Sequence, residues 1–341
     1  MSKSFEALLY EELPGNKVRC QLCAHHCVIN DGKRGICRVR ENREGTLYSL
    51  TYGRLVAAHV DPIEKKPLFH FYPASRSFSI ASAGCNFDCQ WCQNWEISQG
   101  ISDAEIARSP YTAPQEVVSS AVRFGCKSIS YTYTEPTVFF EYSQEVGRLA
   151  REAGIKNVYV TNGYMSDQTI TLLSGWLDAA NVDIKAFSDD VYRKYIGGRL
   201  QPVLDGCVGL KKAGVWLEIT TLLIPGLNDD ENQLRDLARF IVRELGADTP
   251  WHVSRFYPQY KYQEAKITSL QSIQKALDIG KAEGLLYTYG GNVSGLANTL
   301  CPSCGFTLIE REGMSVFSNQ ISPEGGCPQC GAPIAGVGLN A

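Results

Sequence analysis

No stretch of about 18 consecutive apolar residues occurs in the 341-residue sequence, so nothing in it reads as a membrane-spanning helix. Long runs of Lys or Arg are also missing, and the net charge is −3. Neither a nucleic acid nor an anionic membrane is therefore an expected partner. Basic pairs such as Lys65-Lys66 and Lys211-Lys212 are short and read as solvated surface. No secretory leader is seen, because Glu6, Glu11 and Glu12 interrupt and follow the brief apolar stretch after Met1. The expectation is a cytoplasmic protein. Repeats of solenoid type are absent. Hydrophobic residues make up 44% of the chain, which argues against disorder and allows one large core with small appendages.

Cysteine is abundant. There are thirteen, an odd number ill suited to a disulfide framework, and all but Cys126 and Cys207 fall into clusters with metal-ligand spacing. Metal-bound thiolates in a reduced compartment are the economical reading. In the first cluster, Cys20, Cys23, Cys27 and Cys37 can close a tetrahedral zinc site or bind an iron–sulfur cluster, and the spacing does not decide between them. His25 and His26 lie inside that loop and read as hydrogen-bonded or solvent-facing. The last cluster pairs Cys301-Pro-Ser-Cys304-Gly with Cys327-Pro-Gln-Cys330-Gly, two knuckles of zinc-ribbon type. Iron in a rubredoxin-like site is the alternative there. Cys126 and Cys207 read as buried structural thiols.

The middle cluster is Gly84-Cys85-Asn-Phe-Asp-Cys89-Gln-Trp91-Cys92. Three thiolates from one tight loop can hold a cubane [4Fe–4S] cluster and leave one iron open. That iron can take the amino and carboxylate groups of a small molecule, which a fully ligated cluster cannot. A zinc site with a distant fourth ligand is the alternative.

From residue 77 to about 293, strands and helices alternate. The patterning predicts strands at 77–83, 128–133, 157–161, 180–184, 215–223, 252–256 and 285–289. It predicts helices at 112–125, 138–153, 168–173, 203–212, 231–245 and 270–283, the first with a Thr112/Gln115 capping box and Pro114 in its first turn. Such alternation implies an α/β fold: a parallel sheet with right-handed crossovers, forming a full or partial (β/α) barrel. The expected domains are an N-terminal four-cysteine extension at 1–75, the barrel at 76–298, and a zinc-ribbon or rubredoxin-like unit at 299–341. Chemistry in such folds gathers at the C-terminal ends of the strands. The residues there are Glu135 with Pro136, Asn162 with Gly163, Asp183 with Lys185 on one face by period two, Glu218 with Thr220 and Leu222, His252 with Ser254 and Arg255, and Gly290-Gly291-Asn292.

The order of these features resembles the radical S-adenosylmethionine (SAM) superfamily, on Cys85, Cys89, Trp91 and Cys92. Tyr133-Thr134-Glu135-Pro136 corresponds to that superfamily's Gly-Gly-Glu-Pro element with both glycines replaced. Thr161-Asn162-Gly163 and Asp183-x-Lys185 are similar to elements of the activating enzymes of glycyl-radical enzymes. The span Cys20 to Cys37, Asp61-Pro-Ile-Glu-Lys-Lys-Pro67, His70-Phe71, Cys92-Gln-Asn-Trp-Glu-Ile-Ser98 and the terminal ribbon together look like the radical SAM component of the AmmeMemoRadiSam system, over nearly the whole chain.

This resemblance implies a [4Fe–4S] cluster on Cys85, Cys89 and Cys92, and reductive cleavage of S-adenosyl-L-methionine to a 5′-deoxyadenosyl radical that abstracts hydrogen from a substrate. It implies Glu135 at the methionine amino group, Trp91 near adenine, and Asn162, Asp183 and Lys185 within reach of SAM or substrate. His252, Arg255 and Lys66 are substrate-side candidates. The implied partners are a Memo-like protein, an AMMECR-domain protein and a one-electron reductant such as ferredoxin or flavodoxin. Two alternatives stay open: an activating enzyme that places a radical on a partner's glycine, and an iron–sulfur electron-transfer protein.

Overall fold

The computed structural model describes residues 5–340; residues 1–4 and 341, the ends of the two expected appendages, lie outside it. Its centre is an eight-stranded sheet. In chain order the strands are β1 (Leu55–Pro62), β2 (Arg76–Ser82), β3 (Ser128–Tyr131), β4 (Lys156–Thr161), β5 (Ala179–Asp183), β6 (Trp216–Leu223), β7 (Trp251–Arg255) and β8 (Thr288–Gly291). They lie side by side in that order, with β1 and β8 as the two edges, so the barrel is open. Strands β2 to β8 are parallel, and β1 runs antiparallel to β2.

The crossovers between parallel strands carry α1 (Pro114–Arg123), α2 (Phe140–Glu152), α3 (Asp167–Leu173), α4 (Leu200–Lys212), α5 (Glu231–Phe240) and α6 (Leu270–Ala282). Each presents an apolar stripe to the sheet, such as Val117, Val118 and Ala121 on α1 or Leu234, Leu237 and Ala238 on α5. Strands covered on one side by helices and filled on the other by side chains are buried on both faces, and β3 is buried at every residue. Cys207 on α4 and Cys126 before β3 are buried, as expected of structural thiols.

Several predicted boundaries shift, each for a local reason. α1 begins at Pro114 with Ala113 as its cap, and Glu116, not Gln115, takes the Ala113 N–H. Thr112 is held outside the helix by a bond from its N–H to Gly53 O and one from Tyr142 Oη to its carbonyl. The 138–153 helix is preceded by a 3₁₀ turn, Pro136–Phe139, and the 231–245 helix ends as a π-helical turn, Ile241–Leu245. α4 starts three residues before the predicted 203. The last strand is Thr288–Gly291 rather than 285–289. There the Leu286 N–H bonds Ala247 O and Trp251 N–H bonds Tyr287 O, and only from Thr288 onward does the chain pair with β7.

Two smaller units flank the sheet. On the N-terminal side, Phe5–Glu6, Thr46–Ser49 and Arg40–Arg43 form one three-stranded sheet, and Tyr10–Leu13, Lys17–Cys20 and Val28–Ile29 another. A buried Arg40–Glu141 ion pair at 2.8 Å ties the first of these to α2. On the C-terminal side, Thr299–Leu300, Thr307–Glu312 and Ser315–Asn319 form a third small sheet carrying the cysteine knuckles.

Candidate radical SAM site

The Cys85–Cys92 loop leaves the C-terminal end of β2 through Gly84, whose φ is +99°. A Cβ there would lie 2.7 Å from Val39 Cγ1 and 3.0 Å from Cys37 O, so only glycine lets the N-terminal unit lie against this bend. The loop backbone is pinned from the opposite side: Asp88 N–H donates to Ile196 O (2.8 Å) and Gln90 N–H to Tyr195 O (3.0 Å). Hydrogen-bond donors approach two of the three sulfurs. Phe87 N–H lies 3.4 Å and Asn162 Nδ2 4.0 Å from Cys85 Sγ, and Ser98 Oγ lies 3.3 Å from Cys92 Sγ.

All three thiols open into one cavity of about 790 Å³ at the C-terminal ends of the strands. Trp91, Glu135, Asn162, Asp183, Lys185, Lys66 and His252 line the same cavity. Arg255 does not. Its Nε donates to Thr268 O at 2.8 Å and its guanidinium lies over the Tyr257 ring, so the substrate-side expectation for this residue is withdrawn.

Glu135, just past the end of β3, is 2% exposed. Its carboxylate accepts from Thr137 N–H (3.0 Å), Thr161 Oγ (2.7 Å) and Asn162 N–H (2.8 Å), which fastens the ends of β3 and β4 together. Burial nonetheless pushes its pKa up. Asn162 extends the brace, with Nδ2 donating to Asn86 Oδ1 at 2.7 Å. Lys185 Nζ bonds Asp183 Oδ2 at 2.9 Å. Burial opposes the lysine's charge, but Asp183 and Cys89 outweigh it and hold its pKa above the usual value. Burial pushes the Cys89 thiol up to about 12, against the pull of Lys185, and raises Cys85 well above its usual value. A metal binding here must therefore displace protons.

Another part of the lining was less visible in the sequence. Lys66 is not solvated surface: it is 1% exposed, 2.7 Å from Asp61 Oδ2 and 4.5 Å from the centre of the Tyr133 ring. Burial lowers its pKa to about 8, with Asp61 resisting. Tyr133 Oη also donates to Asp61. Tyr133 itself has φ +63°, a region suited to the glycine it replaces in the resembling motif.

Asp183, Thr220 and His252 are directly paired across β5, β6 and β7. Thr220 Oγ1 is buried with no hydrogen-bond partner, as is Glu64 Oε2, and both residues line the cavity. His252 Nε2 lies 2.7 Å from Glu218 Oε2. Burial would raise Glu218, but His252, His70 and the Phe69 N–H hold its pKa below the usual value. Glu64 lies in the quoted Asp61–Pro67 string, yet nothing in its pattern assigned it a contact. Thr220 stood among the strand-end residues without a reason to prefer it.

The four ribbon cysteines close on one point, with Cys301 and Cys330 sulfurs 3.6 Å apart and Cys304 and Cys327 sulfurs 3.7 Å apart. Metal–sulfur bonds of about 2.3 Å in a tetrahedron put sulfurs about 3.8 Å apart, so this site fits a single ion, zinc or iron. Among the described residues it is the only group of three or more His, Cys, Asp or Glu ligand atoms within 4.8 Å of one another. The ribbon's Gly313-Met314 turn reaches the cavity.

The fold is thus an open, mostly parallel α/β sheet with a three-cysteine loop at the end of its first parallel strand. Residues 79–238 match the Radical SAM superfamily. An uncharacterized protein of Methanocaldococcus jannaschii is 47% identical over 308 residues, covering 90% of this chain and 91% of that protein. GTP 3′,8-cyclase of Listeria monocytogenes is 28% identical over 163 residues, 46% of this chain and 47% of the cyclase. Among solved structures, Streptococcus suis SuiB bound to its precursor peptide SuiA aligns with a TM-score of 0.51 and 14% identity, over 68% of this chain and 52% of SuiB, a likeness of fold. The chain belongs to the radical SAM superfamily, and membership implies a [4Fe–4S] cluster and SAM. No helix among the described residues is long and apolar enough to cross a membrane.

Proposed function

We propose that this chain is a cytoplasmic radical SAM enzyme of the AmmeMemoRadiSam type, with Cys85, Cys89 and Cys92 holding the cluster. One observation carries the reading: the three thiols share a single cavity with Glu135, Asn162, Asp183 and Lys185, all at strand C-termini. The bound cluster and SAM would supply a 5′-deoxyadenosyl radical by one-electron reductive cleavage. The chain's own residues position and screen. Asn162 and the Phe87 N–H steady Cys85, and Lys185 offsets negative charge at Cys89. The braced Glu135 fixes the strand ends on which SAM would rest, and Trp91 is buried in the same lining.

The substrate would meet this second part of the lining. The unpartnered Thr220 Oγ1 and Glu64 Oε2, with His252 and Lys66 beside them, favour a polar substrate that brings its own hydrogen-bond donors. By the same family reading, a ferredoxin or flavodoxin supplies electrons, and Memo-like and AMMECR-domain proteins act with this enzyme. The test is anaerobic reconstitution with iron, sulfide, SAM and dithionite. 5′-Deoxyadenosine should form in wild type and be lost in Cys92→Ala; equal yields from both would defeat the assignment.

A further inference from the structure

The four N-terminal cysteines lie in one folded loop without closing to single-ion spacing. Cys20 N–H donates to Cys27 O at 3.0 Å, and a Cβ on Gly35 would lie 3.7 Å from Cys27 Sγ, so the turn folds Cys27 back beside Cys20 and against the approach to Cys37. Yet no three of them lie within 4.8 Å of one another, whereas the ribbon cysteines do. The three cysteines of the Cys85–Cys92 loop share the wider arrangement. A lone tetrahedral ion needs sulfurs about 3.8 Å apart; an iron–sulfur cluster, with several irons between its thiolates, needs them farther apart.

A second observation points the same way. Arg40 is 1% exposed, and its Nε has no hydrogen-bond partner although its other nitrogens bond Glu141 and Leu8 O. It stands three residues past Cys37, and its carbonyl accepts from Gly35 N–H at 3.0 Å, within the same loop. A buried donor left without an acceptor is costly, and an anionic, sulfur-rich group beside Cys20 and Cys37 would satisfy it.

The position of this group matters as much as its ligands. The Cys20–Cys37 loop lies directly against the Cys85 loop: His25 Nε2 is 2.8 Å from Asn86 O, and Cys37 O and Val39 fill the space that a Cβ on Gly84 would need. On its outer side, Val28 and Ile36, the neighbours of Cys27 and Cys37, are 55% and 53% exposed. One face of the loop thus meets the candidate radical site and the other meets the surface.

We propose that Cys20, Cys23, Cys27 and Cys37 ligate a second iron–sulfur cluster that passes electrons from a carrier protein to the Cys85–Cys89–Cys92 cluster. Each transfer moves one electron: the reduced carrier is oxidised, the second cluster is reduced and reoxidised in turn, and SAM accepts the electron as its C–S bond breaks. The relay rests on the function proposed above; the presence of the cluster does not.

The experiment uses full-length protein purified anaerobically with Cys85, Cys89 and Cys92 all changed to Ala. This variant should retain acid-labile sulfide and, when reduced, an iron–sulfur EPR signal that SAM does not alter. The ribbon cannot mimic this, because a single ion on four thiolates contains no sulfide. Zinc in the N-terminal site, or no sulfide in the variant, overturns the proposal. In a Cys27→Ser chain, the SAM-insensitive signal should be lost, and the ratio of flavodoxin-driven to dithionite-driven 5′-deoxyadenosine formation should fall. An unchanged ratio overturns the relay. Sulfide in the triple variant with no 5′-deoxyadenosine from wild type would leave the second cluster standing and remove the proposed function instead.

Discussion

His70 shows what burial does to one titratable side chain. It is fully enclosed, with Nδ1 2.7 Å from Ala335 O and Nε2 2.6 Å from Tyr289 Oη, and burial lowers its pKa to about 4. The folded chain therefore keeps this imidazole neutral at a pH where the unfolded chain has already protonated it. Between about 6.5 and about 4 the unfolded state binds the extra proton, so stability from this group is present above that window and falls as pH drops through it. The loss between pH 7 and pH 5 should be about 2 kcal/mol, read as a drop in the urea midpoint, and it should shrink in His70→Gln. An identical pH dependence in the variant would show that other groups govern it. Lys66 makes a related point about legibility. Its neighbour Lys65 is substantially exposed, and only the fold, by setting Asp61 and Tyr133 around Lys66, separates two residues that look alike in the sequence.

Among elements, the parallel strands and their helices were readable because two periods alternate without interruption from residue 77 onward. The antiparallel edge strand β1 was not, since its His59 and Val60 face solvent and its partner strand follows it at some distance. The cysteine loop was placed at the end of β2 by pattern alone, but the packing of the N-terminal unit upon it depends on contacts between residues far apart in the chain. The seat of α4 is another such contact. Gly206 lies against the strand-end loop so closely that a Cβ would fall 2.1 Å from Gly163 O. Gly206→Ala should therefore cost about 1–3 kcal/mol by overpacking, and it should shift the Asn162 brace as well. The expected readouts are a lower melting temperature and weaker SAM binding by equilibrium dialysis. A normal SAM affinity in a destabilised variant would separate α4 from the site.

Across the whole molecule, the ribbon is bound to the barrel through a charge buried between them. Arg311 donates to Phe69 O at 2.8 Å and to Thr299 Oγ1 at 2.7 Å, stands 4.4 Å from the Phe69 ring centre, and has its Nε 3.7 Å from Glu64. Arg311→Met leaves the Glu64 carboxylate buried without its counter-charge, at a cost of about 3–5 kcal/mol. Thermal unfolding should show that loss, and adding Glu64→Gln should restore part of it. A double variant no better than the single one would mean that the arginine acts by packing alone. The ribbon's metal site was legible from its paired knuckles, whereas its grip on the barrel was not, because Arg311 is a single charged residue in a strand with no motif around it.

The Gly313-Met314 turn forms part of the cavity lining although it belongs to the metal-stapled hairpin rather than to the sheet. Exchanging that hairpin between homologues would alter which molecules gain entry while leaving the sulfur-bearing loop untouched. Selectivity and radical generation could then diverge independently, each carried on its own piece of the polypeptide.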